Sequence, residues 1–126
     1  MRQLILIGFA GFLGTVARFG LSEFVAERSG GSFPWGTLVV NLIGCFLAGF
    51  LFCFFQERTT GNEVIRAVLM VGLLGGFTTF SAFGLQTFTL LKNSQVGLAL
   101  FNLLVSNVVG LAMVWAGYST ARLAWA

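Results

Sequence analysis

The residues best able to do chemistry in this chain are concentrated in Gly72–Phe83, which has the sequence GLLGGFTTFSAF. The stretch is uncharged and apolar, yet its middle is poorly suited to a helix. The pair Gly75–Gly76 has high backbone entropy, and Thr78 and Thr79 are β-branched. Thr79 is also a suitable N-cap. The pattern therefore predicts a helix that breaks near Gly75 and resumes near Phe80.

A break of this kind has a chemical consequence if the stretch lies inside a membrane. Non-helical backbone at membrane depth is tolerated only where protein buries it or a cavity solvates it. A broken helix at the midplane therefore indicates a permeation or ion site. The alternative is a lipid-exposed helix whose small residues form a packing interface. The polar and aromatic sequence that follows the glycines favours the functional interpretation.

Other polar side chains lie inside apolar runs. Asn41 is strongly polar and belongs to a small, partly polar helical face together with Cys45. Asn102, Ser106 and Gly110 have i, i+4, i+8 spacing and share a second face. Both faces could line a pore or provide hydrogen bonds between helices, and the small, partly polar character of the Asn41 face favours the pore.

Arg18 lies near the end of the first apolar run. Its guanidinium could extend along its stem to the membrane interface. It could also face an aqueous vestibule and attract anions. The sequence leaves these two interpretations open.

Several kinds of chemistry are disfavoured. The chain has no histidine, which is the commonest metal ligand and proton shuttle. Cys45 and Cys53 lie on one predicted helix, about 12 Å apart by helical rise, and cannot form a disulfide with each other. No nucleophile–base pair or carboxylate pair lies inside an apolar run, so an enzyme is not expected. The net charge of +3 is spread over the loops and gives no indication of nucleic-acid binding.

The elements that must position these residues are membrane-spanning helices. Hydrophobic residues make up 57% of the 126 residues and charged residues only 9%. We expect an all-α multi-pass membrane protein in which residues 1–126 form one domain of four transmembrane helices, the third broken near its middle. The expected spans are Gln3–Leu21, Phe33–Gln56, Ala67–Leu91 and Gln95–Ser119. Glu23, Glu27 and Arg28 are expected in the first loop.

Positive charges give little bias in orientation. Four spans place both termini on one side, with Arg2, Arg58, Arg66 and Arg122, whereas the other side has Arg28, Lys92 and, if it reaches the interface, Arg18. Such a small difference does not fix topology. It predicts insertion in both orientations and an antiparallel homodimer, because four helices alone enclose little space.

Three blocks resemble the Fluc fluoride channels, also called the CrcB family. They are Gly14–Arg18 (GTVAR), Trp35–Asn41 (WGTLVVN) and Gly72–Phe83. The third block is highly specific in this setting, and the resemblance covers nearly the whole chain. It implies an antiparallel, dual-topology homodimer in the cell (inner) membrane, with two pores through which fluoride leaves the cytoplasm and its toxicity is relieved.

The resemblance also implies roles for individual residues. Phe80 and Phe83 would face the ions with their ring edges, Asn41 would donate to fluoride, and Ser81 would belong to a polar track. The carbonyl oxygens of Gly75 and Thr78 from both subunits would hold a structural sodium ion, and Arg18 would lie in a vestibule. Together with the polar face of the fourth span, the expected fluoride pathway comprises Asn41, Phe80, Ser81, Phe83, Asn102 and Ser106.

Four positions depart from the family pattern. Ala82 replaces the usual Thr, Gly84 the usual Ser, Gln86 a frequent Glu, and Gly110 a Ser of some relatives. These departures affect the details of the polar track. The residues themselves indicate a pathway for a small anion, since amide, hydroxyl and ring-edge donors can replace its water.

Two other functions are compatible with a small membrane protein of four spans. A proton-coupled small multidrug exporter needs an ionisable carboxylate inside the membrane, whereas Glu23, Glu27, Glu57 and Glu63 all lie at loops or span ends. A non-transporting membrane assembly subunit would explain the small-residue stripes but not the predicted break.

Overall fold

The computed structural model describes residues 1–57 and 62–124. Within these residues the chain is helical and has no strand. In this part of the chain, four helical segments are long and apolar enough to cross a membrane, the third of them made of several shorter elements. The elements are α1 (Arg2–Ser29), α2 (Trp35–Glu57), α3 (Glu63–Ala67), a π-helical stretch (Val68–Leu73), α4 (Leu74–Phe77), α5 (Phe80–Lys92) and α6 (Val96–Ala124).

The first helix is longer than expected. Glu23, Glu27 and Arg28 were predicted to lie in a loop, but α1 continues to Ser29. Arg28 stabilises the extension, because its guanidinium lies 3.5 Å from the centroid of the Phe24 ring and donates to the Phe24 carbonyl. The helix ends where Gly30 adopts a positive φ of 62°, a conformation that glycine reaches without strain.

The third span comprises Glu63–Lys92 and contains the least regular backbone. Gly75 and Gly76 are helical, so the break predicted near Gly75 is misplaced by a few residues. The extended residues are Thr78 (φ −87°, ψ 156°) and Thr79 (φ −148°, ψ 114°). They lie midway along the span. The side chain of Thr79 accepts a hydrogen bond from the Ala82 N–H, so Thr79 is the N-cap of α5, as predicted.

Close backbone contacts hold the helices together. A methyl group at Gly14 would overlap the Leu73 carbonyl, which places α1 directly against the first half of the third span. A methyl group at Gly117 would overlap the Phe46 carbonyl, and the same close approach joins α2 to α6. Such approaches are typical of helices in lipid, where van der Waals packing replaces the hydrophobic drive. The two helix pairs leave a cleft beside Thr78 and Thr79.

Candidate functional site

The cleft has a volume of about 430 Å³ and lies between α2, the third span and α6. Most of its wall is apolar, with a few polar groups near the extended residues. The lining residues are Asn41, Gly44, Cys45 and Ala48 of α2; Met70, Leu74, Gly75, Thr78, Thr79, Phe80 and Phe83 of the third span; and Ser106, Asn107 and Val114 of α6.

Asn41 binds the extended backbone through both ends of its amide. Its Nδ2 donates to the Thr79 carbonyl oxygen at 3.0 Å, and its Oδ1 accepts from the Thr79 N–H at 2.8 Å. One side chain thus pairs with both backbone polar groups of Thr79, whose extended backbone lies outside the helices. Since unpaired backbone groups are costly at membrane depth, Asn41 stabilises the local departure from the helix.

The same interaction changes the neighbouring backbone. In an uninterrupted helix the Thr79 N–H would donate to the carbonyl of Gly75, four residues earlier. Here that N–H is directed to Asn41, so the Gly75 carbonyl loses its helical donor. Gly75 is exposed, and a methyl group there would meet nothing within 4 Å. Gly75 thus combines a carbonyl without its helical donor with an exposed position on the cleft wall.

The start of α5 supplies donors on the other side of the extended residues. Thr79 caps one N–H of the first turn, and the N-terminus of a helix carries partial positive charge. Asn41 also has a second Nδ2 hydrogen beyond the one directed to Thr79. Both features favour a small anion in the part of the cleft near Phe80.

Phe80 and Phe83 are adjacent, with ring centroids 5.5 Å apart and planes inclined by 47°. Both line the cleft. Their environments differ, because Phe83 is 7% exposed and Phe80 is 82% exposed in the single chain. Phe83 therefore belongs to the core of the single chain, whereas the Phe80 ring lies on its surface.

A buried hydrogen-bond chain leads from Phe83 to α6. Thr87 Oγ1 donates to the Phe83 carbonyl at 2.7 Å and accepts from Asn102 Nδ2 at 2.9 Å. Asn102 Oδ1 in turn accepts from the Ser106 hydroxyl at 3.3 Å. Thr87 and Asn102 are 6% and 2% exposed. Asn102 thus lies behind the cleft, whereas Ser106 reaches its wall.

The other predicted site residues are distributed as follows. Gly75 and Thr78 line the cleft, and the Thr78 hydroxyl donates to the Leu74 carbonyl at 3.0 Å. Ser81 is exposed beside Thr79, with their hydroxyl oxygens 3.4 Å apart, and is outside the lining. Arg18 is half-buried on α1 and is also outside the lining. The cleft therefore brings together Asn41, Phe80, Phe83 and Ser106.

Two polar residues of the cleft wall were not predicted to be part of the site. Thr79 was expected only as a helix cap, although its backbone is the partner of Asn41. Asn107 lines the cleft, and its Nδ2 donates to the Leu103 carbonyl at 2.7 Å. Asn107 could have been selected from the sequence as a polar residue inside a span.

The electrostatic character of the cleft follows from its composition. Among the described residues, those that line it include no Asp, Glu, Lys or Arg. A small anion would meet amide and hydroxyl groups and aromatic edges but no fixed full charge. An ion held by such groups is not trapped as it would be by a fixed opposite charge, which is what conduction requires.

Gln86, one of the departures from the family pattern, lies in a different place. It lines a second cavity of about 140 Å³ near the end of α1 and the start of α2. Its Oε1 is buried and has no hydrogen-bond partner among the described residues.

Comparison with known proteins gives consistent matches over most of the chain. Residues 5–118 match the family model described as CrcB-like protein, Camphor Resistance (CrcB). A protein of Nitratidesulfovibrio vulgaris named fluoride-specific ion channel FluC is 39% identical over 98% of this chain and 99% of its own length. Proteins with the same name from Citrifermentans bemidjiense and Methylocella silvestris are 43% and 44% identical, over 97% and 93% of this chain and 98% and 89% of their own lengths.

Proposed function

This chain belongs to the CrcB family, and we propose that it is a multi-pass membrane protein that conducts fluoride out of the cytoplasm. The observation that carries the proposal is the pair of hydrogen bonds between the Asn41 amide and the Thr79 backbone. These bonds stabilise non-helical backbone midway along an apolar span, beside a cleft with anion donors. We further propose that the third span crosses the membrane as one broken helix, with α5 restarting near the midplane.

Fluoride is small and strongly hydrated, so its entry depends on replacing the lost water with donors. In the cleft, the free Nδ2 hydrogen of Asn41 and the ring edges of Phe80 and Phe83 are suitable donors. The N-terminal turn of α5 adds a favourable field. Ser81, beside Thr79 midway along the span, would belong to the polar track, and Arg18 would lie in a vestibule nearer an end of the path.

We propose that two chains assemble as an antiparallel homodimer with two pores. The support is that the cleft is open and that Phe80 is exposed in the single chain. A second chain packed on this face would enclose the cleft and cover the Phe80 ring. The balanced distribution of Arg and Lys supports insertion in both orientations.

A structural sodium ion is consistent with the residues of this face. The Gly75 carbonyl has lost its helical donor, and Thr78 lies beside it on the cleft wall. Carbonyl oxygens are the ligands that hard cations prefer. The Gly75 and Thr78 carbonyls of each chain would together form a four-oxygen site between the subunits. A sodium ion bound there would hold the interrupted third spans of the two chains together.

The direct test is fluoride efflux from liposomes that contain only the purified protein, followed with a fluoride electrode. We expect rapid efflux, independent of a proton gradient and much larger than chloride efflux. Efflux that requires a proton gradient would favour a proton-coupled exporter. The absence of efflux from liposomes containing folded protein would favour a non-transporting assembly subunit.

A further inference from the structure

The buried chain of hydrogen bonds from Phe83 to Ser106 has only one possible direction. The Phe83 carbonyl can only accept, so the Thr87 hydroxyl must donate its single hydrogen to it. Thr87 must then accept from Asn102, which places the Asn102 NH₂ group toward Thr87. The Asn102 carbonyl oxygen therefore faces Ser106, and the Ser106 hydroxyl must donate.

This direction determines what Ser106 presents to the cleft. A serine hydroxyl has one hydrogen and two lone pairs. Because its hydrogen is directed to Asn102, the Ser106 hydroxyl can offer only lone pairs to an ion in the cleft, and lone pairs repel an anion. Ser106 becomes an anion donor only when it leaves Asn102.

We propose that Asn102 and Thr87 are positioning residues that withhold the Ser106 hydrogen from the ion pathway and so prevent fluoride from binding too tightly there. The proposal rests on the fluoride-channel function proposed above. Both ends of the chain lie at the cleft, since Phe83 and Ser106 line it, whereas Thr87 and Asn102 are buried behind it. Conduction requires sites that release the ion, so weakening one hydroxyl favours flux.

A purely structural role for Asn102 predicts a different result. If the amide only joined α6 to α5, its loss would lower the amount of folded protein without changing how fluoride binds. If Asn102 were itself a fluoride donor, its loss would weaken fluoride binding. The positioning role alone predicts tighter binding after Asn102 is removed, and only when Ser106 is present.

The experiment measures initial fluoride efflux against fluoride concentration for folded protein, giving a maximal rate and a half-saturating concentration. In Asn102→Leu the half-saturating concentration should fall about fivefold, equivalent to about 1 kcal/mol, and the maximal rate should also fall. The double variant Asn102→Leu, Ser106→Ala should have the same half-saturating concentration as the single variant Ser106→Ala. An unchanged or raised half-saturating concentration in Asn102→Leu overturns the proposal.

Thr87 provides a second test that does not alter Asn102. Thr87→Val removes the acceptor of the Asn102 NH₂ group, so the amide can rotate and offer that group to Ser106, whose hydrogen then becomes available to the anion. The half-saturating concentration should again fall, and Thr87→Ser, which retains the hydroxyl, should restore the wild-type value.

The matched control is Thr89→Val, which removes an exposed hydroxyl that donates to the Leu85 carbonyl on the same helix, and it should leave both parameters unchanged. If Asn102→Leu does not fold, Thr87→Val decides the question. If the wild-type protein conducts fluoride and Thr87→Val has an unchanged half-saturating concentration, the positioning role is contradicted and the proposed channel function is not. An inactive wild-type protein contradicts the proposed function and this inference together.

Discussion

The Asn41 amide and the Thr79 backbone form a reciprocal pair, each donating one hydrogen bond to the other, at 3.0 and 2.8 Å. The pair is part-buried and joins residues 38 positions apart. It resembles the pairing of two β-strand residues, with a side chain in place of one backbone. Asn41 is therefore important for the shape of the third span as well as for the chemistry of the cleft.

Replacing Asn41 with Leu should reduce both flux and stability. The change removes both hydrogen bonds to the Thr79 backbone and leaves its N–H unpaired, at a cost of about 1–3 kcal/mol for a buried group. It also removes the free Nδ2 donor from the cleft. We expect fluoride efflux to fall at least about tenfold by electrode measurement, with less folded protein on size exclusion.

Thr120→Val is the control for Asn41→Leu, because it removes an exposed hydroxyl that bonds within its own helix. Its efflux should match that of the wild type. Normal efflux in folded Asn41→Leu would show that the hydrogen bonds between Asn41 and Thr79 are dispensable for conduction.

Phe80 and Phe83 distinguish an electrostatic role from packing. Ile retains an apolar side chain but has no ring edge. We expect Phe80→Ile and Phe83→Ile to reduce fluoride efflux at least about tenfold in protein that remains folded. Phe80 is the sharper test of folding, since it is 82% exposed in the single chain and its replacement should leave that chain folded.

Phe88 serves as the control for both substitutions. It is 62% exposed on the same helix and is outside the cleft lining, so Phe88→Ile should leave efflux nearly normal. Near-wild-type efflux in both Phe80→Ile and Phe83→Ile would remove these rings from the pathway.

The local parts of this site could be read from the sequence, and the long-range parts could not. The N-cap at Thr79 and the adjacency of Phe80 and Phe83 follow from spacings of three residues. The pairing of Asn41 with Thr79 depends on how two helices pack, which no local pattern encodes. The extended residues are Thr78 and Thr79 because Asn41 is available there to satisfy the backbone.

The polar face of α6 illustrates the same limit. The i, i+4 spacing placed Asn102 and Ser106 side by side, and they are hydrogen-bonded. The partner on the other side of Asn102 is Thr87 of α5, which depends on the packing of α5 against α6. Helical periodicity could therefore predict that Asn102 and Ser106 share a face of α6. It could not predict that Asn102 is buried behind the cleft.

Insertion in both orientations can be measured by cysteine labelling. Thr60 follows the second span in the sequence but lies outside the described residues, so we choose Asn93 for the labelling cysteine. Asn93 is exposed at the end of α5, and its φ of −87° suits cysteine. In a Cys45→Ala, Cys53→Ala background, Asn93→Cys should react with an impermeant maleimide from both sides of the membrane. Labelling from one side only contradicts the antiparallel dimer.

Removal of sodium tests the proposed four-oxygen site. After complete exchange of sodium for a large organic cation, we expect slower fluoride efflux or a weaker dimer, because the facing carbonyls would repel one another without the ion. Returning sodium should restore the original behaviour. Identical efflux and identical dimer stability before and after the exchange would contradict a structural ion.

Gly75 and Gly76 are adjacent but have different surroundings, and this difference tests whether a second chain covers the cleft face. A methyl group at Gly76 would overlap the Gly11 carbonyl, whereas one at Gly75 would meet nothing within 4 Å. Gly76→Ala should therefore disrupt the packing of α1 and lower the yield of folded protein.

Gly75→Ala should leave the single chain folded, since the added methyl group lies in open space and alanine favours a helix by about 1 kcal/mol over glycine. In a dimer the same methyl group would lie between the subunits, close to the carbonyls that face each other. We expect a weaker dimer in Gly75→Ala, measured as the monomer fraction at increasing dilution in lipid, and reduced fluoride efflux.

Gly8→Ala is the matched control, because a methyl group at Gly8 also meets nothing within 4 Å. Dimer stability and efflux equal to those of Gly8→Ala would mean that no partner covers the face at Gly75.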